Sequence, residues 1–337
     1  MREYKGIDVF KFIMALFVVV LHTQPLYGIN SWMNFLTAAV ISRMAVPFFF
    51  TASGFLLQKQ VSVNETGARE VLGRYIRKII GVYCIWTVIY MPIIIYDKIL
   101  SSDDALNRSI LMVLRDFVFV GSYAHLWYLP SAAVGIIVVY TLKKYVGERG
   151  TAVILLGLFL AGLLTQSYFG LLTYAVGPGS ILWKMMKAVK KVMVTCRNGV
   201  FFGSIFIYMG TWMAKSDFTL KKYKAVIGLA VSILLFYMEA SWLRTVGFVR
   251  EEDMYLMLLP SVFFLTVLAV QTSVNGETVF LRRMSMNIYY VHILFRFIYR
   301  EYIGENAGNN IGQFLFTLAG ALSAAYLMYR YTARRIQ

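Results

Sequence analysis

The sequence predicts an all-α fold, a polytopic membrane bundle of about ten transmembrane helices, and three observations predict it. Of the 337 residues, 59% are hydrophobic and only 15% are charged. Mean hydropathy is +0.65. Apolar runs recur at or beyond the roughly 18 residues that suggest a helical span. These runs are continuous rather than alternating, which disfavours a β-barrel. The 23 Tyr and 25 Phe suit interfacial belts and a packed bundle.

Read in order, the spans fall at roughly 8–27, 42–58, 75–97, 125–143, 151–169, 199–214, 223–243, 255–273, 284–300 and 311–331. Residues 31–41 are expected to form a short interfacial helix leading into the second span, while 105–120 and 180–194 are amphipathic and surface-lying. The N-terminus mimics a signal peptide. Its apolar run ends in His22-Thr23-Gln24-Pro25 with no small-residue cleavage site, so it is read as a retained first span. No repeat or soluble domain interrupts the pattern, and the whole of 1–337 is read as one transmembrane domain.

The net charge of +16 does not imply nucleic acid as a partner, because membrane proteins concentrate Lys and Arg in cytoplasmic loops. An even number of spans places both termini on one side. Most of the 33 basic residues fall there, including Arg2, Lys5, Arg69, Lys143, Lys144, Lys221, Lys222, Arg282, Arg283 and Arg335. This predicts a multi-pass protein of the cytoplasmic membrane with both termini in the cytoplasm. The exception is the basic cluster from Lys184 to Arg197, which this topology places outside. The two cysteines, Cys84 and Cys196, make neither a disulfide framework nor a metal site.

The groups that can carry chemistry are few. Lys11 and His22 are the strongly polar side chains of the stretch FKFIMALFVVVLHT. Eleven residues at 100° come to three turns plus roughly 20°, so both lie on one helix face, roughly 16 Å apart. Two readings fit: a polar channel across the bilayer, or Lys11 snorkelling to one interface with His22 at the other. Arg43 opens the second span and requires pairing or an interfacial position. Ser53-Gly54 permits close approach of another backbone. Arg74, Arg77 and Lys78, at i, i+3 and i+4, form one cationic patch. It either anchors topology or holds phosphates such as the diphosphate of coenzyme A. His125 and Trp127 open the fourth span, His292 lies on the ninth, and Arg250, Glu251, Glu252 and Asp253 form a mixed-charge cluster before the eighth. No P-loop, glycine-rich dinucleotide loop, HExxH or GxSxG is present.

Several segments in this order resemble the acyltransferase family 3 membrane proteins. They are Asp8-x-x-Lys11 with His22 eleven residues further on, VPFFFTASGFLL, RYIRK, HLWYL and NIYYVHILF, spanning nearly the whole chain. The resemblance extends to the subgroup typified by the membrane part of vancomycin-resistance-type serine racemases. It implies transfer of an acyl group, acetyl in the simplest case, from cytoplasmic acyl-CoA to a hydroxyl of an extracytoplasmic glycan, lipid or cell-envelope acceptor. His22 matches the family's first-helix histidine, the catalytic base. Lys11 stands where the family usually carries arginine, keeping the charge without the bidentate fork. Arg74, Arg77, Lys78 and Ser53 are then assigned to the donor, and Asp8, Arg43, His125, Trp127 and His292 to the substrate. No metal is expected. The racemase relatives carry a soluble domain that would begin where this chain ends, at Arg334-Arg335-Ile336-Gln337, so no pyridoxal phosphate is expected here. A second function is drawn from the same resemblance: transport or supply of serine or a similar small polar metabolite, with Lys11, His22 and Arg43 lining the path.

Overall fold

The computed structural model describes residues 4–64, 66–101, 104–216, 220–304 and 310–334. Arg2 and Arg335, which enter the topology argument, lie outside the described residues, as do Ile336 and Gln337. The described residues form α-helices α1 (Lys5–Thr23), α2 (Ser31–Asn34), α3 (Ala45–Val63), α4 (Ala68–Ile95), α5 (Leu106–Phe119), α6 (Tyr128–Thr165), α7 (Phe169–Val176), α8 (Ile181–Met193), α9 (Ser204–Lys215), α10 (Lys222–Thr245), α11 (Leu258–Gln271), α12 (Val279–Ile298) and α13 (Ile311–Arg334). No strand occurs among them.

The helix boundaries follow local chemistry. Pro25 disfavours helical backbone at the residue before it, and α1 closes there with Gln24 at φ 44°, its N–H donating to the Val20 carbonyl at 2.8 Å. Asn30 caps α2 by accepting from the Met33 N–H, and Ser180 caps α8 through the Trp183 N–H. Within α6, Gly147 adopts φ 70°, a backbone that favours glycine. It divides the helix into segments 128–146 and 148–165, which correspond to the fourth and fifth expected spans.

Among the described residues, six helical stretches are long and apolar enough to cross a membrane: Lys5–Thr23, Ser31–Val63, Ala68–Leu100, Tyr128–Thr165, Lys222–Thr245 and Ile311–Ala333. The protein is thus a multi-pass helical membrane protein. The expected spans at 199–214, 255–273 and 284–300 do not reach that standard among the described residues. The first begins as a π-helical turn, Gly199–Gly203, before the 12 residues of α9, and the second is the 14-residue α11. The third, α12, carries Arg282, Arg283 and Arg296. The expected amphipathic segments are α5 and α8, and the expected interfacial helix at 31–41 is α2 followed by the π-helical run Phe35–Ile41.

The chain groups into two compact units. The first comprises residues 1–49, 219–240 and 257–337, and the second residues 50–218 and 241–256. In the first, α1 packs on α11, α12 and α13. Gly6 makes the α11 contact possible, since a Cβ there would stand 2.3 Å from the Ala269 carbonyl oxygen. In the second unit, α6 packs on α9 and α4. There the close approach expected at Gly54 is observed: its Cβ would meet the Ile207 carbonyl oxygen at 2.2 Å, and that of Gly210 would meet Thr51 O at 2.0 Å. Cys196 is buried and Cys84 exposed, and burial pushes the Cys196 thiol up, favouring its unreactive protonated form.

These glycine contacts generate a stability prediction. Gly210→Ala must separate two backbones, which costs about 1–3 kcal/mol. Gly157→Ala on α6 meets nothing within 4 Å and gains helix propensity. Thermal unfolding in detergent is expected to show a clear loss for Gly210→Ala and none for Gly157→Ala; equal behaviour would contradict the packing described.

Candidate functional site

Asp8 lies in the first turn of α1, where the helix dipole favours a carboxylate, and it is 2% exposed. Arg282 grips it bidentately, Nε to Oδ1 at 2.9 Å and Nη2 to Oδ2 at 2.8 Å. Thr278 Oγ1 adds a third bond to Oδ2 at 2.8 Å. The carboxylate is thus held by charge-assisted bonds rather than left in apolar surroundings. At the other end of the same helices, the rings of His22 and His292 lie 5.3 Å apart between centroids, tilted by 40°. Asp8 beside Arg282 and His22 beside His292 make α1 and α12 run parallel.

His292 is fully buried. Its Nδ1 lies 2.9 Å from the Tyr289 carbonyl oxygen and 3.1 Å from that of Ile288. Carbonyl oxygens only accept, so Nδ1 carries the proton and Nε2 keeps the lone pair in the neutral ring. Lys11 and His22 are both half-buried on α1, and regular helical geometry between them preserves the shared face expected from their spacing. Lys11 follows Asp8 by three residues, one turn along the helix. Arg43 lies in the 3₁₀ turn Ser42–Met44, which packs against α1. The first unit therefore brings together Asp8, Lys11, His22 and His292 on two adjacent helices.

The second unit holds the remaining expected site residues. Ser53 Oγ lies 3.1 Å from the Tyr128 hydroxyl. Arg74, Arg77 and Lys78 are exposed on α4. Arg74 meets Glu70 only at 3.7 Å, and Arg77 Nε donates to the Gly73 carbonyl at 3.3 Å. His125 is 2% exposed and sits edge-on to Tyr90, with centroids 5.0 Å apart. Trp127 carries the Arg197 guanidinium over its ring at 4.8 Å, and Arg197 pairs with Asp253 at 3.0 Å.

Two of these features escape sequence reasoning. Arg282 reads as a cytoplasmic anchor, yet it is the partner of Asp8 from 274 positions away. A carboxylate in an apolar helix signals that a cation is needed but does not say which. The clusters at Lys184–Arg197 and Arg250–Asp253 read as separate loops; the structure joins them through Arg197 with Asp253 and Lys190 with Glu251. Among the described residues, no group of His, Cys, Asp and Glu is arranged to hold a metal ion.

Comparison with known proteins places this chain in a family. The acyltransferase domain of family 3 matches residues 4–330. An amino-acid racemase of Enterococcus faecalis is 33% identical over 264 residues, covering 78% of this chain and 35% of the relative. A serine/alanine racemase of Enterococcus gallinarum is 27% identical over 289 residues, covering 86% of this chain and 40% of the relative. The chain thus spans little more than a third of the length of these relatives. No solved structure matches it. Matched over nearly its whole length, the chain belongs to the acyltransferase family 3 membrane proteins.

Proposed function

We propose that the protein is an integral membrane O-acyltransferase that takes an acyl group, acetyl in the simplest case, from cytoplasmic acyl-CoA. The acceptor is a hydroxyl on a glycan, lipid or cell-envelope molecule across the membrane. The observation that carries this reading is the His22–His292 pair on helices tied by the Asp8–Arg282 fork. It supports a base held in fixed geometry within an apolar bundle.

In this reading the acceptor hydroxyl gives its proton to His22 as its oxygen attacks the thioester carbonyl. The tetrahedral intermediate then collapses, the carbon–sulfur bond breaks, and the leaving thiolate takes the proton from the imidazolium. The products are an O-ester and free coenzyme A. His292 positions His22 and, as a neutral ring, does not oppose the charge His22 gains. General-base help of this kind contributes roughly 10²–10⁴-fold. Lys11 supplies positive charge along the same helix face for the developing oxyanion or an anionic part of the donor. Arg74, Arg77 and Lys78 bind donor phosphates, with Ser53 on the same side. Arg43, His125 and Trp127 are assigned to the substrate. Similarity to an amino-acid racemase and a serine/alanine racemase supports a second reading, a supply or transport domain for serine or a similar metabolite. Serine uptake into proteoliposomes without binding of acetyl-CoA would select it.

Two outcomes test the enzyme. His22→Phe preserves bulk but cannot accept a proton. Transfer of radiolabelled acetyl from acetyl-CoA to envelope material in membrane vesicles should fall at least 100-fold, the lower end of general-base catalysis, with unfolding near that of the parent. Lys11→Arg should retain transfer, because the charge stays, whereas Lys11→Met should lose most of it. Full activity in His22→Phe would make the histidine structural.

For the donor, Arg74→Gln with Arg77→Gln should weaken acetyl-CoA binding more than tenfold, since each removes a charge-assisted contact. Both side chains are exposed, so folding should be preserved. Unchanged affinity would return them to the role of topology anchors.

A further inference from the structure

The second unit contains a basic groove that the acyl-transfer chemistry does not use. Arg115 of α5, Lys187, Lys190 and Lys191 of α8, and Arg250 line a cavity of about 480 Å³ together with Ala188 and Val194. Five cations converge on it. Glu251 neutralises Lys190, and Asp116 is shared between Arg115 at 2.8 Å and Lys98 at 2.8 Å. Lys187, Lys191 and Arg250 form no ion pair with a carboxylate among the described residues. Two of them rest on aromatic faces instead: Lys187 Nζ lies 4.3 Å from the Trp183 ring centroid, and Arg250 Cζ lies 5.0 Å from that of Phe169. A ring face holds a cation in place without cancelling its charge.

Like charges gathered around one opening repel, and the cost is recovered when an anion enters. The helices that carry the groove also fix its depth. On α8, Ile181, Leu182, Met185 and Val192 are exposed, and on α5, Leu111, Leu114 and Val118 are exposed. Such amphipathic helices lie in the membrane interface, with basic residues at the level of the phosphates. Arg250 contributes a planar fork suited to phosphate oxygens, and the lysines contribute compact charges.

We propose that this groove is a binding site for a phosphate or phosphodiester group, supplied by an anionic lipid headgroup or by a soluble phosphate-bearing ligand. It adjoins, through Lys190–Glu251 and Asp253–Arg197, the end of the unit that bears Trp127. The assignment stands on the groove's own residues and is independent of the catalytic reading of His22.

The test uses the full chain with Arg74→Gln and Arg77→Gln already in place, so that the other basic patch does not contribute. In nanodiscs of zwitterionic phosphatidylcholine, calorimetric titration with inorganic pyrophosphate is expected to show saturable binding. Lys187→Gln, Lys191→Gln and Arg250→Gln together should weaken it at least tenfold. Lys144→Gln, Lys221→Gln and Lys222→Gln, which remove the same charge elsewhere, should leave it unchanged. In discs containing phosphatidylglycerol, native mass spectrometry reads retained lipid. Retention lost in the groove variant but not in the control, without pyrophosphate binding, assigns the phosphate to a lipid headgroup and supports the site. If the triple variant unfolds, the single exposed change Lys191→Glu replaces it, with the same readouts. Groove and control variants that match in both measurements would overturn the proposal and leave a solvated basic face.

Discussion

The fork between Asp8 and Arg282 is the interaction on which the first unit depends. A carboxylate that is 2% exposed is costly in an apolar bundle unless its charge and its lone pairs are both met. Arg282 meets the charge with two bonds, and Thr278 takes a further lone pair. Because bidentate pairing tolerates little displacement, the fork fixes the register of α1 against α12. A slip of one helical turn, roughly 5.4 Å, would break all three bonds at one end. At the other end it would separate His22 from His292. The candidate base is thus located by an ion pair three to four turns away along the same helices.

That arrangement explains why so few polar residues serve the site. In water a base is oriented by competing with solvent. In an apolar bundle each polar group stands out against its surroundings and must be met by another. His292 is oriented by carbonyls of its own helix, Tyr289 and Ile288. Lys11 lies one turn from Asp8, so the fork's carboxylate and guanidinium both act on it. Small residues complete the frame: Gly6 lets α1 lie against the end of α11, where a larger side chain would force α1 outwards.

Much of this was legible in the sequence, and the limits have physical causes. Lys11 and His22 share a face because helical periodicity acts within one segment, and nothing distant is needed to see it. Gly54 marks a close helix contact because only glycine lacks the Cβ that would block it. The pairing of Asp8 with Arg282 was not legible, because it joins positions 274 apart and the sequence offers many cations. Span boundaries are less legible for a related reason. Short segments such as α9 and α11 bury much of their apolar surface within the protein, and hydropathy does not distinguish protein from lipid as the apolar partner. The basic groove was likewise hidden, since Lys187 on α8 and Arg250 lie far apart in the chain and meet only in the fold.

The register claim is tested most directly by a double-mutant cycle on unfolding in detergent with Asp8→Asn, Arg282→Gln and the two combined. Each single change leaves a group facing a lost partner, so each should destabilise clearly, and the double variant should lose much less than their sum. The account predicts a coupling energy above about 1 kcal/mol, within the range for contacting residues. Additive losses, agreeing within about 0.5 kcal/mol, would contradict it and leave α1 and α12 aligned by apolar packing alone.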